Sequence, residues 1–497
     1  METDGLAQTM RSRWTQAPGR PALGFGDTWY DWQWVGENAT RLEEALTAVT
    51  YPSRAPIAVI ARNRPAQAGA ILGLMATGRP AVVISSIQSP DGLAADILRL
   101  GVQVVLGSPD DLRADAVANA MRTTGVLGMT VAEHGSPTFD VETPVRVEWA
   151  PQAIDPDALV VMLTSGTTGA PKRLTLGRRA TLSAMADLTA MLGECEEPGE
   201  TSPSILFQPL ANISGMYLLM LLAAEGRPAF LMERFRAAEW AEAVRRLGPS
   251  WLWLPPAAMQ MVLDADVDPA HLSSARALRT GSAPLGDSVR TRFEERFSIP
   301  VLSHYGATEF CGIVTSLSPD DVAENPDRSS SVGRARPGVR LQVVDAADGA
   351  VVALGELGIL EVQADRLGPG WMRTTDLAAI DPDGFLTLHG RADDAINRGG
   401  FKVLAGQVAD ILRAHPAVAD AAVLGLADDR LGQVPVAAVE CRHGVLPPSS
   451  EDLAAFSRSH LLAYQVPVRF LIVPSLPRTG TMKIDRQAAL KLFASAG

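Results

Sequence analysis

Short, near-continuous apolar runs alternate with segments of helical spacing through most of this chain. Pro56–Ala61, Pro80–Ser85, Val102–Leu106 and Leu159–Leu163 are such runs, and Pro65–Thr77 has helical spacing between the first two. A strand wetted on one face alternates apolar and polar residues. A strand that is apolar at every position is buried on both faces, as in a parallel sheet between layers of helices. The pattern predicts an α/β fold with stacked layers. At 497 residues the chain exceeds one ordinary core, so two or more domains are expected.

The texture changes near Val339–Asp345 and Gly358–Val362, where strand-like segments follow closely between Asp, Gly and Glu, which predicts a β-rich subdomain. It changes again around Gly390–Gly400. Beyond lie a helix candidate at Gly406–Ala414, strands at Ala421–Leu426 and Val434–Cys441, and a helix at Ser450–Leu462. The boundary falls at Gly390–Asp393. It divides a large N-terminal domain, residues 1–390, from a small α+β C-terminal domain, residues 391–497.

Charge and cysteine usage narrow the function classes. The net charge of −12, from 44 basic and 56 acidic residues, disfavours nucleic acid or anionic lipid as the main partner. It leaves nucleotide substrates open, because local loops bind phosphates. Three widely separated cysteines, Cys195, Cys311 and Cys441, form no disulfide-framework or metal-ligand spacing, as expected in a reducing cytoplasm. The first ten residues lack a basic-then-apolar signal layout. The densest apolar stretch, Met216–Ala224, is too short to span a bilayer, so no membrane insertion is expected.

Leu163–Arg173, LTSGTTGAPKR, follows an apolar run and packs hydroxyls, two glycines and a lysine into a short loop. Glycine lets backbone N–H groups approach an anion closely, hydroxyls add donors, and lysine supplies charge. In the commoner phosphate loop a glycine precedes the lysine and a hydroxyl follows it. Here Pro171 precedes Lys172 and Arg173 follows, which disfavours a P-loop hydrolase.

Further segments follow in a fixed order: Gly281–Gly286 (GSAPLG), Tyr305–Glu309 (YGATE), Ser331–Gly338 (SVGRARPG), Gly355–Gly358 (GELG), Trp371–Asp376 (WMRTTD), Gly390–Gly400 (GRADDAINRGG) and Leu476–Arg486 (LPRTGTMKIDR). Together with the loop, they resemble the motifs of the adenylate-forming enzymes, among them acyl-CoA synthetases, aryl-CoA ligases and adenylation domains. The resemblance covers essentially the whole chain.

The resemblance implies ATP, Mg2+ and coenzyme A as co-substrates and cofactor. Thr164, Ser165, Gly166, Thr167, Thr168, Gly169 and Lys172 are then the phosphate loop. Ser282, Ala283 and Pro284 line the adenine pocket, with His304, Tyr305 and Gly306 beside it. Thr308 faces phosphate, and Glu309, with Thr168, holds Mg2+. Asp376 takes the ribose hydroxyls near Arg391. Lys483 is the catalytic cation of the first step, Asp393 the hinge, and Gly399 and Gly400 the residues brought toward the thiol in the second. Attack of a carboxylate on the α-phosphate of ATP gives an acyl-adenylate, and a thiol then displaces AMP. In such phosphoryl chemistry a protein mainly positions groups and neutralises charge.

The acyl pocket is expected at Asn212, Ser214, Leu218, Gly306, Ala307 and Cys311, with no obvious basic residue for a second carboxylate. This predicts a hydrophobic monocarboxylic acid, bulky or cyclic. Four departures from the family pattern stand out. Asn212 replaces a frequent histidine and cannot act as a base near neutral pH. Thr375 and Met482 stand where glycine is common, and Gln363–Trp371 is short. Cys311 reads as pocket wall in preference to nucleophile, since no His–Cys signature accompanies it. Trp251 and Trp253 read as strand-end core. No carrier domain follows the lysine motif, so the acceptor is expected from outside: free CoA, or a separate carrier protein in trans. A nucleotide-binding protein without ligase activity is the alternative from another class; retention of Lys483, Glu309, Asp376 and Arg391 argues against it.

Overall fold

A computed structural model describes residues 5–131, 138–142, 149, 155, 157–164, 172–193, 202–399, 401–480 and 482–495. The chain forms two compact units. One comprises Met1–Arg236, Arg246–Pro249 and Ala307–Gly312; the other comprises Ala237–Arg245, Ser250–Gly306 and Ile313–Gly497.

The apolar runs of the first unit become a seven-stranded sheet. Its order is Phe139–Val141, Leu127–Val131, Val104–Gly107, Ile57–Ala61, Ala81–Ser85, Ala158–Thr164 and Lys172–Gly177. The five inner strands are parallel, and both edge strands run antiparallel to their neighbours. Ile57–Ala61 is buried at every position, as a strand covered on both faces must be. On one side Ile60, Val82, Ile97, Leu100, Val105 and Met121 share a core. Helix Pro65–Thr77 starts with proline at its first turn, where no N–H is needed, and stops at Gly78 in the left-handed conformation. A second, four-stranded sheet orders Ser204–Leu206, Ala229–Leu231, Pro21–Phe25 and Thr28–Asp31.

The second unit carries most of a five-stranded sheet, Trp251–Trp253, Ala277–Thr280, Val301–Ala307, Gly312–Ser316 and Arg334–Ala335, whose first three strands are parallel. Trp251 is buried at its edge, as expected, and Trp253 is half-buried. Gly333 explains part of the Ser331–Gly338 motif: its φ is +84°, and a Cβ there would lie 1.9 Å from the carbonyl carbon of Ser316. The β-rich texture becomes a four-stranded antiparallel meander, Val339–Val344, Gly358–Ala364, Met372–Ile380 and Leu386–Arg391. The short Gln363–Trp371 connection holds only a single 3-10 turn, Asp365–Leu367.

After residue 394 the chain builds another five-stranded sheet. Long strands Val418–Asp428 and Gly432–Cys441 pair along most of their length, and Arg469–Val473 adds in parallel beside the second. Alternation splits this pair into two faces. Ala421, Val423, Ala437 and Val439 pack with Val408 and Leu412 of helix Ala405–Arg413 and with Leu453 of helix Ser450–His460. Ala422, Leu424, Val436 and Ala438 pack with Ala489 and Phe493 of helix Arg486–Ser495.

Candidate active site

The C-terminal motifs gather around one carboxylate. Asp376 lies on strand Met372–Ile380 in register with Arg391 on the next strand, so the antiparallel pairing brings two distant motifs together. The Tyr305 phenol donates a hydrogen bond to Asp376. Burial pushes the Asp376 carboxyl above its ordinary range. The Tyr305 hydroxyl and the charges of Arg391 and Lys483 oppose that shift, while Asp393 adds to it. Arg391 in turn donates to both oxygens of Asp393, at 2.9 and 2.8 Å. That bidentate bond holds the Asp393 carboxyl below its usual range. Asp393 sits in the single 3-10 turn Ala392–Asp394.

Lys483 is presented by a tight turn. The Thr479 N–H donates to the Lys483 carbonyl at 2.7 Å, and the Met482 N–H donates to that of Thr479 at 2.8 Å. Met482 has φ +64°, the left-handed region. The turn thus needs a conformation that costs a residue with a Cβ about 1–2 kcal/mol and that glycine would adopt freely. Arg478, just before the turn, is tied to Asp420 of strand Val418–Asp428 at 2.8 Å. Gly399, at φ +58°, begins the turn of the hairpin Ala395–Arg398 to Phe401–Leu404, and its N–H donates to the Leu431 carbonyl at 2.8 Å.

His304 forms the wall behind the Gly281–Pro284 loop. It is 7% exposed and sits edge-on to Trp253, with ring centroids 4.8 Å apart. Burial, reinforced by Arg279, pushes its pKa down to about 3, so the ring is neutral at physiological pH. The absence of a side chain at Gly281 makes room for this ring. Ser282, the next residue, has φ +71° and is exposed.

In the other unit, Thr164 and Lys172 face each other at the last pair of two antiparallel strands. The edge strand thus begins within the LTSGTTGAPKR segment, a strand the sequence pattern did not reveal. Ser165, Gly166, Thr167, Thr168 and Gly169 lie outside the described residues, as do Gly400 and Cys195. Asn212 opens helix Ile213–Glu225 without using its side chain as a cap. Upstream, Asn63 pins the segment by accepting from the Leu210 N–H at 3.1 Å and donating to the Gln208 carbonyl at 2.9 Å. A Cβ on Gly215 would come within 2.4 Å of the Pro209 carbonyl oxygen, so glycine lets the helix start against this loop. Ser214 is half-buried and Leu218 buried. Thr308 to Cys311 form a turn after strand Val301–Ala307. Gly306, Ala307 and Thr308 are half-buried, Glu309 is exposed, and Phe310 and Cys311 are buried. Cys311 and Cys441 are free thiols. Tyr217 meets Cys311 and carries no sequence motif; its only signal is a hydroxyl between Met216 and the apolar run Leu218–Ala224.

Residues 10–372 match the family model described as AMP-binding enzyme, and residues 407–483 match the AMP-binding enzyme C-terminal domain. The chain belongs to the AMP-binding enzyme family. Among curated relatives of this AMP-binding enzyme is a probable 2-succinylbenzoate–CoA ligase of Mycobacterium tuberculosis. It is 34% identical over 356 residues, covering 69% of this chain and 86% of the relative. A 4-chlorobenzoate–CoA ligase of an Arthrobacter species is 28% identical over 456 residues, covering 84% and 81%. The fold matches that of an amide bond synthetase from Marinactinospora thermotolerans, with a TM-score of 0.82 at 24% identity over 99% of each chain.

The residues present suit Mg2+ that arrives with a nucleotide. Glu309 offers one exposed carboxylate, and no group of three or more His, Cys, Asp or Glu side chains gathers as a metal cage among the described residues. Magnesium keeps waters and phosphate oxygens and needs only one or two protein carboxylates. No helix among the described residues is long and apolar enough to cross a membrane.

Proposed function

We propose that this chain is an AMP-forming acid–thiol ligase that activates a hydrophobic monocarboxylic acid as its acyl-adenylate and transfers the acyl group to coenzyme A. The observation that carries this reading is the Tyr305–Asp376–Arg391–Asp393 cluster, with the charge of Lys483 acting on the same carboxylate. An ionised Asp376 accepts hydrogen bonds from ribose hydroxyls, and Tyr305 fixes that carboxylate's orientation. Lys483 neutralises charge developing between the acid and the α-phosphate. The loop from Thr164 to Lys172 receives the outer phosphates, Thr308 adds a hydroxyl, and Glu309 with Thr168 holds Mg2+, which supplies charge neutralisation there. The Ser282–Pro284 segment, backed by His304 and leading toward Tyr305 and Gly306, lines the base pocket.

The acyl group lies among Asn212, Ser214, Leu218, Ala307 and Cys311. After adenylation, residues 391–497 reorient as a cytoplasmic enzyme's lid about Asp393. Lys483 then withdraws, and Gly399–Gly400 faces the thiol. The CoA ligase names of the curated relatives support a thiol acceptor.

Acid-dependent exchange of pyrophosphate into ATP, followed by AMP release on adding CoA, tests the reading across a panel of acids. Lys483→Ala is expected to abolish exchange while sparing thiol transfer from a supplied adenylate. Equal loss in both steps contradicts the division of labour. Preference for dicarboxylic or amino acids contradicts the substrate class, and transfer only to a protein carrier corrects the acceptor.

A further inference from the structure

The turn that carries Thr308 and Glu309 ends at a strained corner. Cys311 has φ +56°, a left-handed conformation that a residue with a Cβ adopts at a cost. Something must hold it there. Within the turn, the Phe310 N–H donates to Ala307 at 3.2 Å and the Cys311 N–H donates to Thr308 at 3.0 Å. From outside, the Tyr217 hydroxyl donates to the Cys311 carbonyl at 3.0 Å and lies 2.9 Å from the Cys311 Sγ. A phenol has one proton; if it goes to the carbonyl, the thiol is left to donate to the phenol oxygen. Tyr217 is 5% exposed and Cys311 3%, so water cannot replace either bond readily. Thr181, on helix Arg178–Gly193, approaches only the sulfur, at 3.9 Å.

We propose that Tyr217 is a positioning residue: its hydroxyl fixes the left-handed corner at Cys311 and thereby aims the Glu309 carboxylate at the metal-bound phosphates. This rests on the ligase reading above and adds a residue that the motifs do not contain. It also gives Cys311 a structural role as a neutral thiol.

The test compares wild type, Tyr217→Phe and Thr181→Val by hydrogen–deuterium exchange of the 305–316 peptide without ligands, and by the Mg2+ concentration giving half-maximal pyrophosphate exchange. Tyr217→Phe is expected to speed exchange in 305–316 and to raise the half-saturating Mg2+ about five-fold, the worth of one ordinary hydrogen bond. Thr181→Val, which leaves the carbonyl bond intact, is expected to do neither. Unchanged protection in Tyr217→Phe overturns the proposal, as does faster exchange with unaltered Mg2+ dependence, or an equal shift in Thr181→Val. Failure of Tyr217→Phe to fold while Thr181→Val folds assigns the hydroxyl to core stability and overturns it too. Absence of acid-dependent exchange in wild type itself defeats the ligase reading instead; the deuterium result then still decides whether Tyr217 pins the corner.

Discussion

Replacing Gly281 by alanine puts a methyl group where His304 already sits. An ideal Cβ at residue 281 lies 2.4 Å from Nε2 of His304 and 2.7 Å from Cδ2 and Cε1. Ordinary carbon contacts begin near 3.5 Å, so the ring or the loop must move by about 1 Å. The ring has little freedom, being 7% exposed and packed edge-on against Trp253. Overpacking of this kind costs about 1–3 kcal/mol. We expect Gly281→Ala to lower the urea midpoint of the second unit accordingly and to weaken ATP binding, because Ser282–Pro284 moves with the loop. The diagnostic is a double-mutant cycle with His304→Ala. Once the ring is gone the methyl group has space, so the double variant should be less destabilised than the sum of the two, with a coupling of about 1–3 kcal/mol. Calorimetric ATP titration should show the same partial recovery. Additivity within about 0.5 kcal/mol would refute the steric argument.

Two other perturbations follow from the same groups. Tyr305→Phe removes a donor to the Asp376 carboxylate, whose pKa burial has already raised. It should rise further, so AMP affinity falls by about 1.5–3 kcal/mol and its acid limb moves to higher pH, measured by titration calorimetry from pH 4 to 8. His304 is held neutral in the folded protein, with its pKa lowered from 6.5 to about 3. The unfolded chain therefore binds the extra proton. Stability is retained above pH 6.5 and lost as pH falls toward 3, by up to about 1.4 kcal/mol per pH unit. The difference between wild type and His304→Asn in urea melts across that range isolates the effect; no difference contradicts it.

The central parallel strands were legible because burial on both faces leaves no polar position to confuse the pattern, as in Ile57–Ala61. Two edge strands were not. Lys172–Gly177 mixes charge with apolar residues and sits inside a motif, and Arg469–Val473 is only half-buried over most of its length. Helix Arg486–Ser495 was hidden because the lysine motif runs into its first residue. Asp376 and Arg391 could be read as neighbouring functions from their motifs, and strand register explains how they meet. Tyr217 could not be read: its partner is 94 positions away, and the bond depends on one backbone angle at Cys311. The Gly281–His304 fit escaped for the same reason, since a missing side chain leaves no pattern of its own.

The two long strands after residue 417 have oil on both sides, and each side is sealed by helices from the same C-terminal stretch. A body with a core of its own needs no neighbour to keep it folded, so a chimera that exchanges this cap between ligases should still melt cooperatively.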